Sequence, residues 1–232
     1  MNPLHYMRRV NDEYDLEPSI AHRYNASVVE KYVKQKVKIL DVGCWTGQLY
    51  SALVNTQYNY TGIDISGEAI FVARERFKDA NWKVSDATKL PFIKSSFDAV
   101  LMFEVLEHLG DREQLCINEL GRVLKNGGIL ILSTPAYNLM SILSDPAYFL
   151  QNHKHYKELE LRKFLKNDFA IQKVWLKGNV IYVSMYLMQM FFKHVFKAVI
   201  HGYLRKIWEK VAYEEFKTKG GFLGYYLIAR KK

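Results

Sequence analysis

The sequence has few of the residues that mark several large classes of protein. Two cysteines among 232 residues exclude a disulfide-stapled scaffold and favour a reducing compartment. Five prolines and 13 glycines exclude collagen-like and low-complexity chains. No apolar run follows Arg8 and Arg9, so no signal peptide is predicted and we expect a cytoplasmic protein. What is present, 49% apolar and 25% charged residues, is typical of one globular domain over residues 1–232.

Acidic residues are scarce toward the C-terminus. The chain carries a net charge of +9, and residues 178–232 contain ten Lys or Arg against three Glu, a local charge of +7. Net charge informs about partners rather than about fold. Anionic substrates, membrane surfaces and nucleic acid therefore all remain open at this point.

Short apolar runs alternate with helical patterns from residue 37 to residue 135. This alternation predicts an α/β fold with a parallel sheet and helices on both faces, whose ligands bind at the carboxyl ends of the strands. The Asn-Gly-Gly stretch at 126–128 predicts a turn. The predicted strands are 37–42, 59–64, 81–85, 97–103 and 129–133, and the predicted helices are 48–55, 68–77 and 112–124.

Beyond residue 135 the pattern becomes less regular. A stretch without clear periodicity is long for a connection, which favours a lid loop at 136–156. The remaining predicted elements are a helix at 158–166, a strand at 169–176, a long helical stretch at 180–213 and a strand at 222–229. The domain thus divides into a body and three additions: an N-terminal helical cap (1–36), the lid loop and an inserted helical elaboration (178–219).

A glycine-containing turn and three acidic residues predict a nucleoside site. Gly43 and Gly47 flank the turn after the first strand, where glycine lets the backbone approach a ligand and a helix N-terminus offers free N–H groups. Asp64 closes the second strand 21 residues after Gly43, where a carboxylate can hold ribose hydroxyls. Asp86 follows the third strand, where it can accept from an adenine amino group. Since Asp41 also lies near a strand end, helix capping alone does not explain all three acids.

Five segments in this order resemble the class I S-adenosylmethionine-dependent methyltransferases, in the group that includes ubiquinone-biosynthesis and sugar O-methyltransferases. The segments are ILDVGCWTG (39–47), GIDIS (62–66), VSDATKLPF (84–92), SFDAVLMFEVLEHL (96–109) and LKNGGILILSTP (124–135). The resemblance implies a doubly wound, mostly parallel seven-stranded sheet with an antiparallel last strand, and an inserted helix between strands six and seven. It implies S-adenosylmethionine as cofactor, held by Asp41, Gly43, Cys44, Trp45, Gly47, Asp64, Ile65, Asp86, Ala87, Phe103 and Glu104.

Two details of the glycine turn bear on the cofactor. A nicotinamide or flavin cofactor is disfavoured because Gly43 and Gly47 do not form the Gly-x-Gly-x-x-Gly fingerprint. Trp45 departs from the resembled family, where a glycine or another small residue is usual. The tryptophan either crowds the methionine end of the cofactor or shapes the acceptor pocket.

The acceptor site is predicted after the fourth strand. If this stretch forms a helical turn, Glu104, Glu107 and His108 share one face, and carboxylates with neutral imidazole can bind a divalent ion. The stretch resembles the ExxEH motif of metal-assisted small-RNA 2′-O-methyltransferases and catechol-type ubiquinone enzymes, which implies these three residues as metal ligands, with His153 or His155 as a fourth. In the alternative without metal, His108 or His153 is the general base and Glu104 faces the acceptor. A purely structural role for the histidines also stays open.

A basic helix is predicted near the C-terminus. The apolar run 180–192 is too short to span a bilayer, and a basic stripe follows it at i+4 spacing: Lys193, Lys197, His201 and Arg205. Residues 191–210 therefore make peripheral contact with a membrane, or form a roof over the acceptor cleft or a dimer contact. Nucleic acid is less favoured because the aromatic residues have a packed pattern.

Taken together, these patterns predict an S-adenosylmethionine-dependent O-methyltransferase with a small-molecule or lipid-linked acceptor. The segment around Tyr14 and Tyr24 is expected to close over the cofactor. Two alternatives stay open: a metal-dependent RNA 2′-O-methyltransferase and a catalytically silent binding subunit with the same fold.

Overall fold

Seven strands form a single sheet. The computed structural model describes residues 16–53, 57–145, 148–149, 153–178, 183–184, 203–218 and 220–232, with backbone only for 203–209 and 218. The strands are β1 (Lys38–Val42), β2 (Asn59–Asp64), β3 (Asn81–Val84), β4 (Phe97–Phe103), β5 (Leu124–Pro135), β6 (Phe169–Lys177) and β7 (Gly224–Lys231). They lie in the order β3-β2-β1-β4-β5-β7-β6, and β7 runs antiparallel to both of its neighbours. The other neighbouring pairs are parallel. The predicted topology is thus confirmed.

Helices pack on both faces of this sheet. They are α1 (Ile20–Tyr32), α2 (Gln48–Ala52), α3 (Gly67–Arg76), α4 (Glu113–Val123), α5 (Leu139–Leu143), α6 (Glu158–Leu165) and α7 (Tyr203–Thr218), with 3-10 turns at Leu106–His108 and Gly110–Arg112. Side chains of β1 alternate between two cores: Ile39 packs in the core shared with α1, α2, α3 and α7, and Leu40 in the core shared with α4 and α6. Burial on both faces is expected of a central parallel strand and explains its continuous apolar run.

Strand β5 departs most from its predicted bounds. It begins five residues before the predicted start at Ile129, and the predicted turn at 126–128 lies inside it. The register of β4 against β5 shifts between Phe97 and Ala99, and Gly127 has a φ of +72°. The predicted turn at 126–128 is therefore part of a bulge within β5, with strand pairing at Leu124 before it and from Ile129 after it.

The lid is fastened to the end of β5. Tyr156 N donates to Pro135 O at 3.0 Å, and Tyr137 N donates to Tyr156 O at 2.7 Å, so the lid begins and ends at the same place. Helix α5 lies within it, and Asn138 Oδ1 caps the helix by accepting from Ser141 N at 3.0 Å. Residues 146–147 and 150–152 of the predicted lid lie outside the described residues.

The structure describes only parts of the other two predicted additions, the N-terminal cap (1–36) and the helical elaboration (178–219). Helix α1 represents the N-terminal cap, whose first 15 residues lie outside the description. Within the elaboration 178–219, helix α7 ends five residues beyond the predicted end at Tyr213, and residues 191–202 of the predicted basic helix lie outside the description. Of the helices that the structure describes, none combines the length and the apolar character needed to cross a membrane.

Candidate functional site

The three predicted cofactor acids lie on adjacent strands. Because β1, β2 and β3 are parallel neighbours, their carboxyl ends meet at one edge of the sheet, near the point where the order switches from β1 to β4. Asp41 lies within β1, Asp64 ends β2, and Asp86 follows β3 by two residues. The structure therefore brings the three carboxylates to the same edge, as the sequence predicts.

Asp64 ties the glycine turn to the end of β2. Its Oδ2 accepts from Trp45 N and its Oδ1 from Ser66 N, both at 2.9 Å. Burial raises the pKa of Asp64 above its ordinary value, although these backbone hydrogen bonds oppose the effect. The next residue, Ile65, is 50% exposed at this edge and offers an apolar surface to a ligand.

The Asp41 side chain is more deeply buried in the protein than that of Asp64. It is almost fully buried, and its Oδ2 accepts a short hydrogen bond from Tyr60 Oη. Burial, with a smaller contribution from the nearby charge of Asp64, raises the pKa of Asp41 to about 7 against an ordinary 3.8. Burial likewise raises the pKa of the Cys44 thiol well above 9.0, so Cys44 lines the turn as a neutral group.

Asp86 is held by a partner that the sequence analysis did not single out. Arg112 Nη1 donates to Asp86 Oδ2 at 2.9 Å, and Thr88 N and Oγ1 both donate to Oδ1 at 2.8 Å. Partial burial would raise the pKa of Asp86, but these hydrogen bonds and the guanidinium charge hold it below its ordinary value. Asp86 is thus an ionised acceptor, and Ala87 beside it packs partly against the core.

The glycine turn needs both a left-handed backbone and the absence of side chains. Gly43 has a φ of +79°, and a Cβ there would lie 2.2 Å from Val105 Cγ2. Gly47 has a φ of +81°, and a Cβ there would lie 2.9 Å from Trp82. Trp45 between them has a φ of +47°, an unusual conformation for a bulky residue. The turn after β1 therefore packs against the segment after β4.

Glu104 does not lie in a helical turn, which corrects the prediction. Its φ is +54°, and its N still donates to Ser133 O of β5 at 3.1 Å. The chain thus continues its pairing with β5 for one residue beyond β4 before the 3-10 turn begins at Leu106. The side chain accepts from Ser133 Oγ at 2.5 Å, so Glu104 faces the end of β5.

Glu107, His108 and the lid residue His153 converge. One ligand atom of each lies within 4.8 Å of the others. Glu107 Oε2 accepts from Thr134 Oγ1 at 2.9 Å, whereas Oε1 is the one buried side-chain oxygen or nitrogen among the described residues that has no hydrogen-bond partner. Burial raises the pKa of Glu107 well above its ordinary value, and nearby Glu104 adds to this. Burial also lowers the pKa of His108 to about 4, which keeps this imidazole neutral.

His155 points to a second cluster. Its ligand atom groups with those of Asp145 and His153 rather than with Glu107 and His108. Of the five residues that the resemblance implies as metal ligands, the structure therefore brings three into one cluster, while Glu104 and His155 lie outside that set.

Residues 153–156 of the lid are held beside the two histidine clusters by contacts to neighbouring elements. Lys154 Nζ forms a short ion pair with the buried carboxylate of Glu113, and Tyr156 Oη shares its one hydrogen between Leu106 O at 3.0 Å and Glu113 Oε1 at 3.3 Å. Residues 153–156 are therefore attached to α4 and to the 3-10 turn that carries His108.

Aromatic residues predicted near the cofactor have different environments. Phe103 ends β4 and packs with Tyr226, their ring centroids 6.3 Å apart. Tyr24 is buried: its ring meets Phe216 and Tyr226 edge-on, and its hydroxyl accepts from Trp175 Nε1 at 3.0 Å. This position makes Tyr24 a core residue of α1, and Tyr14 lies outside the described residues.

Comparison with known proteins points to one class of enzyme. Residues 40–132 match the family described as "Methyltransferase domain". A demethylmenaquinone methyltransferase from Thermotoga maritima is 32% identical over 139 residues, which cover 55% of this chain and 60% of that protein. A ubiquinone biosynthesis O-methyltransferase from Pelagibacter ubique is 29% identical over 135 residues, which cover 57% and 55%. The chain thus spans about half the length of these curated relatives.

A solved structure supports the fold over a longer range. The S-adenosylmethionine-dependent methyltransferase from Methanosarcina mazei superposes with a TM-score of 0.61 at 24% identity, covering 88% of this chain and 96% of the other. The superposition includes the regions on both sides of the matched segment 40–132. The fold therefore extends well beyond the part of the chain where sequence similarity is evident.

Proposed function

We propose that this chain is a class I S-adenosylmethionine-dependent methyltransferase that transfers the methyl group of this cofactor to an oxygen of a small-molecule or lipid-linked acceptor. The relatives named for ubiquinone and demethylmenaquinone methylation support an acceptor with an apolar part. The observation that carries the proposal is the meeting of Asp41, Asp64 and Asp86 at one sheet edge, beside a second set of polar groups after β4 and β5.

The donor set at the sheet edge fits S-adenosylmethionine. Asp64 would accept from the ribose hydroxyls, and the ionised Asp86 from the adenine amino group, with the exposed Ile65 beside the base. The cofactor carries a sulfonium and an ammonium group, and a cleft containing several carboxyls suits a cation better than a diphosphate. When bound, the cofactor supplies an electrophilic methyl group.

The chain's own contribution is to orient the acceptor and to take its proton. Methyl transfer requires the nucleophile to be aligned with the methyl group and often to be deprotonated. His153 Nε2 lies 3.3 Å from His108 Nε2, and the side chain of His153 is 14% exposed. We assign His153 as the general base, with the neutral His108 as its hydrogen-bonding neighbour. Glu104, held by Ser133, would line the acceptor side.

Calorimetry tests the cofactor assignment. We expect S-adenosylhomocysteine to bind, and Asp64→Asn to weaken its binding about 10- to 100-fold, because hydrogen bonds to a charged group contribute about 1.5–3 kcal/mol. Asp98→Asn is the matched control, since Asp98 lies at the other end of β4, where it accepts from Lys38 N at 2.9 Å. Heat with NAD and none with S-adenosylmethionine or S-adenosylhomocysteine would overturn the assignment.

A transfer assay tests the reaction. Radiolabelled S-adenosylmethionine would be incubated with demethylated quinols, catechols and short RNA, and label in a quinol or catechol oxygen is expected. Tight cofactor binding without transfer to any acceptor would instead favour a catalytically silent binding subunit. Label in RNA alone would favour the second candidate, which depends on a metal.

One observation favours that second candidate, a metal-dependent 2′-O-methyltransferase. The buried Oε1 of Glu107 lacks a hydrogen-bond partner and lies in the cluster with His108 and His153. A carboxylate and two imidazoles suit a borderline divalent cation, which would lower the pKa of a coordinated hydroxyl. For this candidate, transfer is lost on chelation and restored by Mg²⁺, Mn²⁺ or Co²⁺. Glu107→Gln would abolish Mn²⁺ binding, whereas Glu104→Gln, outside the cluster, would retain it.

We further propose peripheral contact with anionic membranes through the basic region at 191–210. The local charge of +7 over residues 178–232 and the apolar run before it support this contact. We expect the protein to sediment with vesicles that contain phosphatidylglycerol and to be released by salt. Sedimentation with pure phosphatidylcholine vesicles to the same extent would contradict an electrostatic contact.

A further inference from the structure

Asp145, in the lid, lies between two histidine side chains. Its Oδ2 lies 2.6 Å from His153 Nδ1 and 3.0 Å from His155 Nε2. The carboxylate side chain is 23% exposed, His153 is 14% exposed, and His155 is fully buried. One carboxylate oxygen thus joins two histidines of the lid, and one of these is the base in the proposed reaction.

The hydrogen bonds of His155 determine how Asp145 is held. Ser141 Oγ donates its single hydrogen to Leu223 O at 2.8 Å, so toward His155 Nδ1, 3.1 Å away, Ser141 Oγ can only accept. Ala136 O, 3.2 Å from the same nitrogen, is also only an acceptor. His155 Nδ1 therefore carries a hydrogen, which it directs to Ser141 Oγ and to Ala136 O, one residue beyond the end of β5.

The opposite nitrogen of the ring then faces Asp145. Because both nitrogens of His155 point at oxygen atoms, a proton must lie between His155 Nε2 and Asp145 Oδ2. This bond connects Asp145 through His155 to Ala136 O, the backbone carbonyl of the residue that follows β5. His155 therefore holds the Asp145 carboxylate in place where it contacts His153 Nδ1.

We propose that Asp145 is the positioning residue for His153: it holds Nδ1–H, so that the lone pair of Nε2 faces His108 and the acceptor. This inference rests on the proposed function only in naming His153 as the base, since the tautomer follows from the hydrogen bonds. His153 Nε2 lies 3.3 Å from His108 Nε2 and 4.0 Å from Glu107 Oε1. An acceptor hydroxyl that reaches Nε2 would compete with His108 for this lone pair.

The general-base step balances without another reactant. The acceptor hydroxyl gives its proton to His153 Nε2 while its oxygen forms a bond to the methyl carbon, and the carbon–sulfur bond breaks with both electrons going to sulfur. His153 becomes an imidazolium, which the Asp145 carboxylate stabilises across the Nδ1–H bond. The proton then leaves to water, and the neutral thioether product dissociates.

Nitrogen NMR of the histidine rings tests the tautomer without any activity. In the S-adenosylhomocysteine complex of the wild-type protein, we expect His153 to show a protonated Nδ1 and an unprotonated Nε2. Asp145→Asn presents an amide N–H to Nδ1 and should reverse this tautomer, whereas Asp145→Glu should preserve it. A wild-type His153 with hydrogen on Nε2 alone would overturn the proposal, whether or not the protein transfers a methyl group.

Kinetics supply the second readout. Asp145→Asn should lower kcat by about 10²- to 10⁴-fold with less than a threefold change in KM, because a base in the wrong tautomer binds substrate but accepts no proton. Asp145→Glu should recover at least a tenth of the activity, and the exposed Asp111→Asn should retain it fully. Unchanged kcat in Asp145→Asn, or restoration of its activity by Mn²⁺, would overturn the proposal. If Asp145→Asn does not fold, the wild-type NMR measurement still decides the outcome.

Discussion

The buried carboxyl of Asp41 makes a quantitative prediction about stability and pH. Burial raises its folded-state pKa to about 7, whereas the unfolded chain keeps the ordinary 3.8. Between these values the folded protein binds a proton that the unfolded chain has released, so stability falls as pH rises through this window. Asp41→Asn removes the titration and keeps an oxygen that can accept from Tyr60 Oη.

The size of the effect follows from the width of the window. Each pH unit between the two pKa values costs the wild type about 1.4 kcal/mol, so from pH 5 to pH 7 Asp41 should cost it about 2–3 kcal/mol. Any fixed cost of the asparagine is the same at both pH values and cancels. The other buried carboxyls, Glu107 and Glu113, remain in both proteins and cancel in the difference.

Urea unfolding followed by tryptophan fluorescence measures this difference. The free energy of unfolding of Asp41→Asn minus that of wild type should rise by about 2 kcal/mol from pH 5 to pH 7. Asp98→Asn is the control: Lys125 and Lys38 N hold the pKa of Asp98 below its ordinary value despite partial burial, so Asp98 is ionised in both states throughout this range. Its difference should stay constant. A flat difference for Asp41→Asn would refute the reasoning.

Two further predictions concern packing around the site. Gly43→Ala should destabilise the protein by about 3 kcal/mol or more and weaken S-adenosylhomocysteine binding, because its Cβ would clash with a side chain at 2.2 Å. Gly127→Ala is the control: it has a similar φ but nothing within 4 Å of its Cβ, so it should cost only about 1–2 kcal/mol. Equal losses of stability in urea unfolding would contradict the clash at Gly43. Lys154→Met should cost about 3 kcal/mol of stability in the same assay, because it leaves the buried Glu113 without its cation. Combining Lys154→Met with Glu113→Gln should recover most of that stability. No recovery would mean that the cost comes from the lost packing of the lysine side chain instead.

The strands whose ends carry the predicted cofactor residues were predictable, because their sequence patterns are local. The bounds of β2 and β4 match the prediction to the residue, since β4 is an almost wholly apolar run followed by Glu104 and β2 is a short run that ends at Asp64. The three acids followed from the same logic, because strand ends in a parallel sheet share an edge. Pairing of Asp86 with Arg112 was not predictable, since 26 residues and one strand separate them.

The acceptor side was less predictable, because its geometry depends on tertiary pairing. The spacing of Glu104, Glu107 and His108 fits a helical turn, but a hydrogen bond to β5 and a left-handed backbone hold Glu104 outside the 3-10 turn and away from the cluster. His153 and His155 are two apart in a segment without helical structure, and both side chains meet Asp145. Asp145 itself lay in a stretch without periodicity and offered no signal in the sequence.

The raised pKa values at the cofactor edge also predict that binding is coupled to protons. A sulfonium near Asp41 and Asp64 favours their ionised forms, so S-adenosylmethionine should lower the pKa of Asp41 from about 7 and release up to about one proton near neutral pH. Its affinity should then rise from pH 6 to pH 7 by up to about fivefold, whereas the uncharged thioether of S-adenosylhomocysteine should show a weaker dependence. Calorimetry in two buffers with different ionisation enthalpies measures the proton count. Asp41→Asn should remove most of the difference between the two ligands, and identical pH dependence of both ligands in the wild type would show that the sulfonium does not sense these carboxyls.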